Sequence, residues 1–147
     1  MSVSSSLKEW VETQPKGVWL KTRVVDDVIH LDLVSVSWPL RGSGLGARAL
    51  AGLLDVADRF GVRVDLDANP TDETNAPDTF DLARWYTSFG FEPTQVHDDG
   101  VRMSRSPRPA VGVDALLAQS KAAPRLTHDQ YQGWESTVGR RKPRLGR

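Results

Sequence analysis

Apolar and polar residues follow two different periods along this chain, one typical of helices and the other of strands. Helical spacing is clearest over residues 47–60, where Leu50, Leu53, Leu54 and Ala57 recur and Gly61 follows as a stop signal. The same spacing predicts further helices over residues 7–13, from 79 to 89 and over 113–121. Runs of β-branched and apolar residues predict strands over 18–25, 28–38, 62–66, 91–96 and 100–105. This order predicts an α/β (α+β) domain in which helices pack on a mixed sheet.

The second strand run carries two polar residues that its apolar pattern does not require. In strict alternation one face of the strand holds Val28, His30, Asp32, Val34, Val36 and Trp38. The other face holds Ile29, Leu31 and Leu33. His30 and Asp32 therefore indicate either a chemical role or the solvent side of the strand, and the pattern alone leaves both interpretations open.

Length and composition place these elements in one small domain. The chain has 147 residues, of which 26% are charged and 39% hydrophobic, an ordinary globular mixture. No apolar run approaches the ~20 residues of a membrane-spanning helix, and the first ten residues lack the apolar stretch of a secretory signal. Because the chain has no cysteine, disulfides, thiolate metal sites and a cysteine nucleophile are excluded. We expect a cytoplasmic protein that does not contact membranes.

A net charge of zero hides an uneven distribution of charge. Residues 1–113 hold 12 basic and 16 acidic residues, whereas residues 114–147 hold 7 basic and 3 acidic ones. A proline-bearing stretch over residues 104–109 lies beside this change in composition. We predict a domain over residues 1–107 and a basic C-terminal extension over residues 108–147, made of short helices and a flexible tail.

The extension suggests three kinds of partner. Its last eight residues, 140–147, contain five positive charges and no acidic residue, which suits binding to nucleic acid or to an acidic protein surface. The same composition is also typical of a solvated tail. Tyr131 and Trp134, three residues apart, can instead dock on another protein or on a second copy of the chain in a homodimer.

A glycine-rich segment separates the second strand from the strongest helix. It reads Arg41-Gly42-Ser43-Gly44-Leu45-Gly46. Glycines let the backbone approach an anion closely, and the free N–H groups of the following helix attract phosphate. A nucleotide-hydrolase P-loop is excluded because its closing Gly-Lys-Ser/Thr is missing, and the glycine spacing differs from the dinucleotide fingerprint. The spacing leaves a diphosphate-binding loop and a plain strand-to-helix turn as alternatives.

The same segment resembles the Arg/Gln-x-x-Gly-x-Gly/Ala signature of the GCN5-related N-acetyltransferase (GNAT) family. Residues 82–91 resemble the family's second signature, a helix ending in Tyr followed by Gly-Phe. The two motifs occur in the family's order with a strand between them, and the resemblance covers residues 18–106. It implies a GNAT-like mixed central sheet, flanked by helices, whose two central parallel strands splay apart. In this chain those strands would be the runs that end at Trp38 and Leu66. The N-terminal portion is abbreviated compared with the family.

The resemblance also implies a co-substrate, acetyl-CoA, and the residues that contact it, with no metal. The pyrophosphate would lie on the backbone amides of Arg41, Gly42, Ser43, Gly44, Leu45, Gly46 and Ala47. The pantetheine arm would pair like an added strand with the backbone of Val34, Ser35 and Val36. Where the family commonly has a coenzyme-contacting Asn, this chain has Thr79, whose hydroxyl can still form a hydrogen bond.

Three residues are candidates for catalysis. Tyr86 matches the family tyrosine that donates a proton to the departing thiolate, and its alternative role is that of a core tyrosine beside Trp85. An amine must lose a proton before it attacks a thioester, so a general base is required. A histidine side chain has a reference pKa of about 6.5, which suits His30 to this task. Asp32 could orient His30 or act as the base through a water molecule.

The implied function is direct acyl-CoA-dependent transfer of an acyl group, expected to be acetyl, to an amine-bearing small molecule or protein. The alternative is an acetyltransferase-like protein with weak or no turnover that holds a protein or nucleic-acid partner through its basic aromatic tail. A third interpretation has the site acting on a nucleobase amine. The acidic stretch between Arg63 and Arg84 is either a rim that attracts a cationic amine or a solvated loop, and its spacing lacks the calcium-loop pattern.

Overall fold

Four helices and five strands make up the described part of this computed structural model, which comprises residues 2–36, 44–68, 79–97 and 100–123. In chain order they are α1 (Val3–Glu12), β1 (Val18–Val25), β2 (Val28–Val36), α2 (Leu45–Phe60), β3 (Arg63–Ala68), α3 (Thr79–Thr87), β4 (Glu92–His97), β5 (Gly100–Arg105) and α4 (Val113–Ala122). The order of helices and strands predicted from hydrophobic periodicity is confirmed within these residues.

The boundaries differ where local hydrogen bonds, rather than periodicity, decide them. Helix α1 begins at Val3 instead of Leu7 because Ser2 caps it, its hydroxyl oxygen accepting a hydrogen bond of 3.1 Å from the amide of Ser5. Helix α2 begins at Leu45, two residues before the predicted start, behind an N-cap glycine. Helix α3 ends at Thr87, and the chain leaves it through a turn.

The five strands form one mixed sheet in the order β1-β2-β3-β5-β4. Strands β2 and β3 run parallel, and the other neighbouring pairs are antiparallel. A parallel pair needs a long crossover connection, which here contains helix α2. The predicted fold class, a mixed sheet flanked by helices, is therefore confirmed.

Within the described part of the chain, the helices cover one face of the sheet. Helix α2 packs on β1, β2 and β3, helix α3 packs on β3 and β5, and α1 and α4 lie against α2. The strand residues beneath them, including Ile29, Val64, Val101 and Met103, are fully buried. Along each strand the alternate residues lie on the opposite face of the sheet, where Trp19 is 54% exposed. The core is thus a single layer between helices and sheet.

Helix α1 is held against α2 by an aromatic contact. The indole N–H of Trp10 donates a 2.9 Å hydrogen bond to the backbone carbonyl of Ala49. The indole ring lies so close to Gly52 that a side chain at this position would overlap with it. Glycine at position 52 is therefore required for the close approach of the two helices.

Helix α4 joins the predicted extension to the domain. Its Leu116 is 4% exposed and belongs to the core, and Ser120 forms a 2.7 Å hydrogen bond with Ser88 at the end of α3. The division between residues 107 and 108 stays a prediction. Tyr131, Trp134 and the basic segment 140–147 lie outside the described residues.

Candidate active site

The parallel strands β2 and β3 lose their pairing halfway along. Their register runs from Val28↔Arg63 to Leu31↔Leu66 and ends there. Beyond this point β2 continues to Val36 and β3 to Ala68. Within the described residues, this stretch of β2 therefore pairs with β1 alone and leaves its other edge open. An open edge offers backbone N–H and C=O groups to an extended ligand.

A β-bulge lies where the two strands part. The register between β1 and β2 passes from Thr22↔Leu31 to Lys21↔Leu33, so Asp32 is an extra residue in β2. Bulges bend the strand that carries them and increase its local twist. This bend accounts for the separation of β2 from β3 directly after Leu31.

The bulge also corrects the predicted faces of β2. Strict alternation predicted that His30 and Val34 share one face. By register, however, Val34 lies opposite the buried Leu20, whereas His30 lies opposite the exposed Arg23. Opposite residues of two paired strands share a face. The predicted common face is therefore wrong beyond Asp32, because an inserted residue reverses the alternation.

The N-terminus of α2, the helix that follows β2 along the chain, presents free backbone donors. Gly44, the N-cap, has φ +86°, a left-handed conformation that favours glycine, and it carries no capping side chain. The first hydrogen bond of the helix joins the amide of Arg48 to the carbonyl of Gly44 at 3.0 Å. The amides of Leu45, Gly46 and Ala47 precede it and have no acceptor inside the helix.

These features fit the pyrophosphate site implied by the sequence motif. The first turn of α2 contains no acidic residue, so its positive dipole end is not neutralised from within the helix. Gly44 is exposed, and the next three residues are partly accessible. An anion can therefore approach these backbone amides. Arg41, Gly42 and Ser43 lie outside the described residues, so their part in the loop stays a prediction.

Tyr86 lies on the inner side of α3 within an aromatic cluster. Its ring centroid is 5.1 Å from that of Trp85 and 5.6 Å from that of Phe91. The residue is 6% exposed, and burial raises the pKa of its phenol to about 12. The phenol keeps its proton at neutral pH, as an ordinary tyrosine does, and can serve as a hydrogen-bond donor. Thr79 is the first residue of the same helix.

Asp32 on the exposed face is already paired. The guanidinium of Arg23 donates two hydrogen bonds to its carboxylate, of 2.7 and 3.0 Å. The hydrogen bond from Arg23 is the largest effect and lowers the pKa of Asp32. Burial, the next largest, raises it, and the charges of Arg23, Lys21 and His30 lower it further, so that the pKa lies below its usual value. Asp32 is therefore a weaker base than an ordinary aspartate.

Asp65 faces His30 from the neighbouring strand, and sequence reasoning assigned it no role beside that residue. It lies opposite His30 in the parallel register of β2 and β3, one rung before the strands separate. Burial raises the pKa of Asp65, but hydrogen bonds from Arg63 and Ser104 and the charges of Arg63 and His30 together lower it below its usual value. His30 thus lies between two carboxylates, those of Asp32 and Asp65.

A second charged pair escaped sequence reasoning altogether. Arg105 donates hydrogen bonds of 2.8 and 3.1 Å to the two carboxylate oxygens of Asp58, and both side chains are buried. These residues are 47 positions apart, on β5 and α2. In the sequence, the two residues appear only as an aspartate among the apolar residues of α2 and an arginine at the last position of β5.

The structure describes only some of the other residues of the predicted site. Within the described ranges, no three His, Cys, Asp or Glu side chains come together as a potential metal site. No described helix is both long and apolar enough to cross a membrane. For Val34, Ser35 and Val36 the structure gives the strand and its register. Most of the acidic stretch lies outside the described residues.

Comparison with known proteins gives matches among solved structures. Neither a protein-family model nor a curated protein matches the chain. The PaiA N-acetyltransferase of Thermoplasma acidophilum, solved with coenzyme A, is 10% identical, and the match covers 60% of this chain and 52% of that chain at a TM-score of 0.47. Arabidopsis thaliana Naa50, solved with a bisubstrate analogue, is 20% identical over 60% of this chain and 63% of that chain, at a TM-score of 0.46.

A bacterial structure is similar over a longer region. The ribosomal-protein-S18-alanine N-acetyltransferase of Escherichia coli is 20% identical, and the match covers 71% of this chain and 78% of that chain at a TM-score of 0.48. The chain thus spans about half to two thirds of the first two structures and more of the third. At these identities and TM-scores the likeness concerns the fold alone, and activity must be argued from the chain's own residues. In fold, the chain is similar to N-acetyltransferases, the family whose motifs its sequence resembles.

Proposed function

We propose that this protein is an acyl-CoA-dependent N-acyltransferase that transfers an acetyl group directly to an amine acceptor. The observation that carries the proposal is the loss of pairing between β2 and β3 after Leu31↔Leu66, in the strand that precedes the glycine-capped helix α2 along the chain. An open strand edge and an uncapped helix N-terminus are the two backbone features that an extended ligand ending in a pyrophosphate requires.

The coenzyme would be bound largely by backbone groups. The amides of Leu45, Gly46 and Ala47 would donate to the pyrophosphate, because the helix leaves them without acceptors. The open edge of β2 over residues 34–36 would pair with the pantetheine arm. Bound acetyl-CoA would supply the acyl group as a thioester. The amine would attack this thioester directly, with no metal taking part.

His30 is the better candidate for the general base. Asp32 is held by Arg23 in two hydrogen bonds, which favour its ionised form and lower its basicity. His30 belongs to the second-to-last residue pair of β2 and β3 before these strands separate, and it lies near both Asp32 and Asp65. His30 would take the proton from the amine. Asp32, already engaged by Arg23, would neighbour the base rather than replace it.

Tyr86 would act on the leaving group. Its phenol holds its proton at neutral pH, as an ordinary tyrosine does, and burial raises its pKa further, to about 12. It would donate a hydrogen bond to the sulfur as the carbon–sulfur bond breaks and pass its proton to the thiolate. The phenol would then recover a proton from water, to which His30 releases the proton taken from the amine. We expect Tyr86→Phe to lower turnover about 10²-fold or more, with little change in coenzyme affinity.

Turnover tests the proposal. The purified chain is incubated with acetyl-CoA and a panel of amines, namely spermidine, a peptide with a free N-terminus and a peptide with an accessible lysine, and the released CoA thiol is measured with a chromogenic disulfide. Amine-dependent thiol release supports the proposal. Saturable acetyl-CoA binding without thiol release would favour the alternative, a protein with little or no turnover. Absence of both would refute the coenzyme site.

Two glycines at the ends of α2 provide a matched pair of variants. Gly44 and Gly61 stand at opposite ends of the helix and have φ of +86° and +68°. Among the described residues, no neighbouring atom lies within 4 Å of the position that a Cβ would take at either glycine. Alanine at either position strains the backbone by about 1–2 kcal/mol without a steric clash. We expect both variants to lose similar thermal stability, but only Gly44→Ala to lose affinity for acetyl-CoA. Its affinity for S-acetylpantetheine, which lacks the pyrophosphate, should change much less.

A further inference from the structure

The buried ion pair of Arg105 and Asp58 joins three elements of the fold. Two hydrogen bonds connect Arg105 on β5 with Asp58 on α2, and the exposed fractions of the two side chains are 0% and 1%. Asp58 also accepts a hydrogen bond of 3.0 Å from the backbone amide of Arg108. The Nε of Arg105 connects the pair to a third part of the fold. It donates a 2.9 Å hydrogen bond to the carbonyl of Phe89, in the turn that follows α3.

Phe89 is in turn bonded to the backbone of Tyr86. Its amide donates a hydrogen bond of 2.9 Å to the carbonyl of Tyr86, and the amide of Phe91 donates a longer one, of 3.4 Å, to the same oxygen. The ring of Phe91 also packs against the Tyr86 ring. The turn that fixes the end of α3, and with it the backbone of Tyr86, is therefore tied to Arg105 by one hydrogen bond.

A contribution to folding stability does not by itself explain why this ion pair is buried in the core. Taking two charges out of water is costly, and well-packed apolar residues of similar volume often give equal or greater stability. What an apolar replacement cannot supply is direction: a guanidinium fixes the carboxylate in its own plane and aims its Nε at one carbonyl. The geometry of this pair therefore suits a role in positioning the backbone. A hydrophobic contact is not directional and could not do this.

We propose that Arg105, held by Asp58, is a positioning residue that fixes Tyr86 relative to α2 for acyl transfer. This inference rests on the proposed function. Helix α2 begins at the proposed pyrophosphate site and carries Asp58 in its last turn, and α3 carries Tyr86. Arg105 connects the two helices, so the distance from the bound coenzyme to the phenol depends on it. A small displacement of a catalytic group is enough to lower a rate constant roughly 10²-fold.

A double-mutant cycle tests whether Arg105 acts through Tyr86. The variant Arg105→Lys keeps the positive charge but loses the planar fork and the Nε donor. We expect it to lower kcat roughly tenfold or more while the KM for acetyl-CoA changes less than about twofold. In a Tyr86→Phe background the same substitution should lower kcat by less than about twofold, because there is no phenol left to position. Equal losses in both backgrounds, or a loss in KM alone, would overturn the proposal.

A second variant and a matched control separate positioning from folding. Asp58→Asn keeps the size of the carboxylate and removes its charge, so it should reproduce the kcat loss of Arg105→Lys. Arg59→Lys alters a pair with Asp55 on the same helix, at 3.2 Å, in which the arginine side chain is 53% exposed, and it should leave kcat unchanged. All variants are assayed below their melting temperatures. A kcat loss in Arg59→Lys equal to that in Arg105→Lys would contradict the proposal.

Hydrogen exchange measures the anchor without any turnover. The amides of Phe89 and Phe91 should exchange faster in Arg105→Lys than in the wild type, and at the wild-type rate in Arg59→Lys. Unchanged exchange at both amides in Arg105→Lys would overturn the proposal, whatever the kinetics show. If exchange rises as expected but the wild-type chain neither binds acetyl-CoA nor releases thiol, the proposed function fails while the anchoring of Tyr86 stands.

Discussion

Two Arg–Asp pairs in this protein have the same chemistry and opposite surroundings. Arg105 contacts Asp58 at 2.8 and 3.1 Å, and Arg23 contacts Asp32 at 2.7 and 3.0 Å. The side chains of the first pair are 0% and 1% exposed, and those of the second are 58% and 28% exposed. Distances therefore do not distinguish the pairs. What differs is the surroundings, which decide whether a charge left alone after mutation can be solvated.

The largest difference should appear when one partner of each pair is removed. Asp58→Ala leaves the Arg105 guanidinium buried and uncompensated, so we expect a loss of about 3–5 kcal/mol in the free energy of unfolding. Asp32→Ala leaves Arg23 in water, and the loss should be well under half as large. Urea denaturation of both variants measures the two values. Equal losses would show that burial does not separate the pairs.

The buried, neutral phenol of Tyr86 gives a second test of how burial affects the stability of the fold. Because the pKa of Tyr86 is about 12 in the fold against about 10 in an unfolded chain, its contribution to stability is complete below pH 10. It is lost as the pH rises through 12, by about 3 kcal/mol in all. Unfolding measured between pH 9 and 12 should show a steeper loss in the wild type than in Tyr86→Phe. Parallel curves would mean that the phenol is accessible to water.

Acid should weaken the exposed face of the sheet. The pKa values of Asp32 and Asp65 are lowered in the fold, so their contributions to stability are present above the ordinary aspartate value of about 3.9. They are lost as the pH falls through the lower values of the folded state. The free energy of unfolding should therefore decline less between pH 5 and 2 in the Asp32→Asn, Asp65→Asn double variant than in the wild type. A decline of the same size in both would contradict the lowered pKa values.

Salt should produce the smallest effect and affect only one of the two pairs. At 1 M NaCl the Debye length is about 3 Å, so the interaction between the exposed Arg23 and Asp32 is largely screened. The stability difference between wild type and Asp32→Ala should then fall toward zero. The difference for Asp58→Ala should stay nearly constant, since no ions enter the core. A strong salt dependence of the Asp58→Ala value would show that water reaches the pair.

Much of the fold could be predicted from the sequence because its elements obey local rules. The apolar positions of α2 recur at helical spacing, and Gly61 ends the helix with φ +68°. The N-terminus of α2 was displaced by only two residues from its predicted start. These features depend on neighbours within a few positions.

The rest depends on contacts between distant parts of the chain. The bulge at Asp32 inserts one residue, and no local preference of Asp32 indicates that the alternation reverses there. From the sequence, Arg105 and Asp58 would be taken for surface charges, because burial of either is visible only once β5 and α2 are packed together. For the same reason the contact of Asp65 with Ser104, 39 positions away, could not be predicted.

Backbone amide NMR with acetyl-CoA tests the central claim most directly, since the coenzyme would contact chiefly backbone groups. We expect saturable chemical-shift changes concentrated at residues 34–36 and 45–47, on either side of the glycine loop. Gly44→Ala should weaken them, and Gly61→Ala should leave their affinity unchanged. Shifts confined to other surfaces, or no shifts at saturating acetyl-CoA, would contradict the assignment of this strand edge and helix N-terminus as an acyl-CoA site.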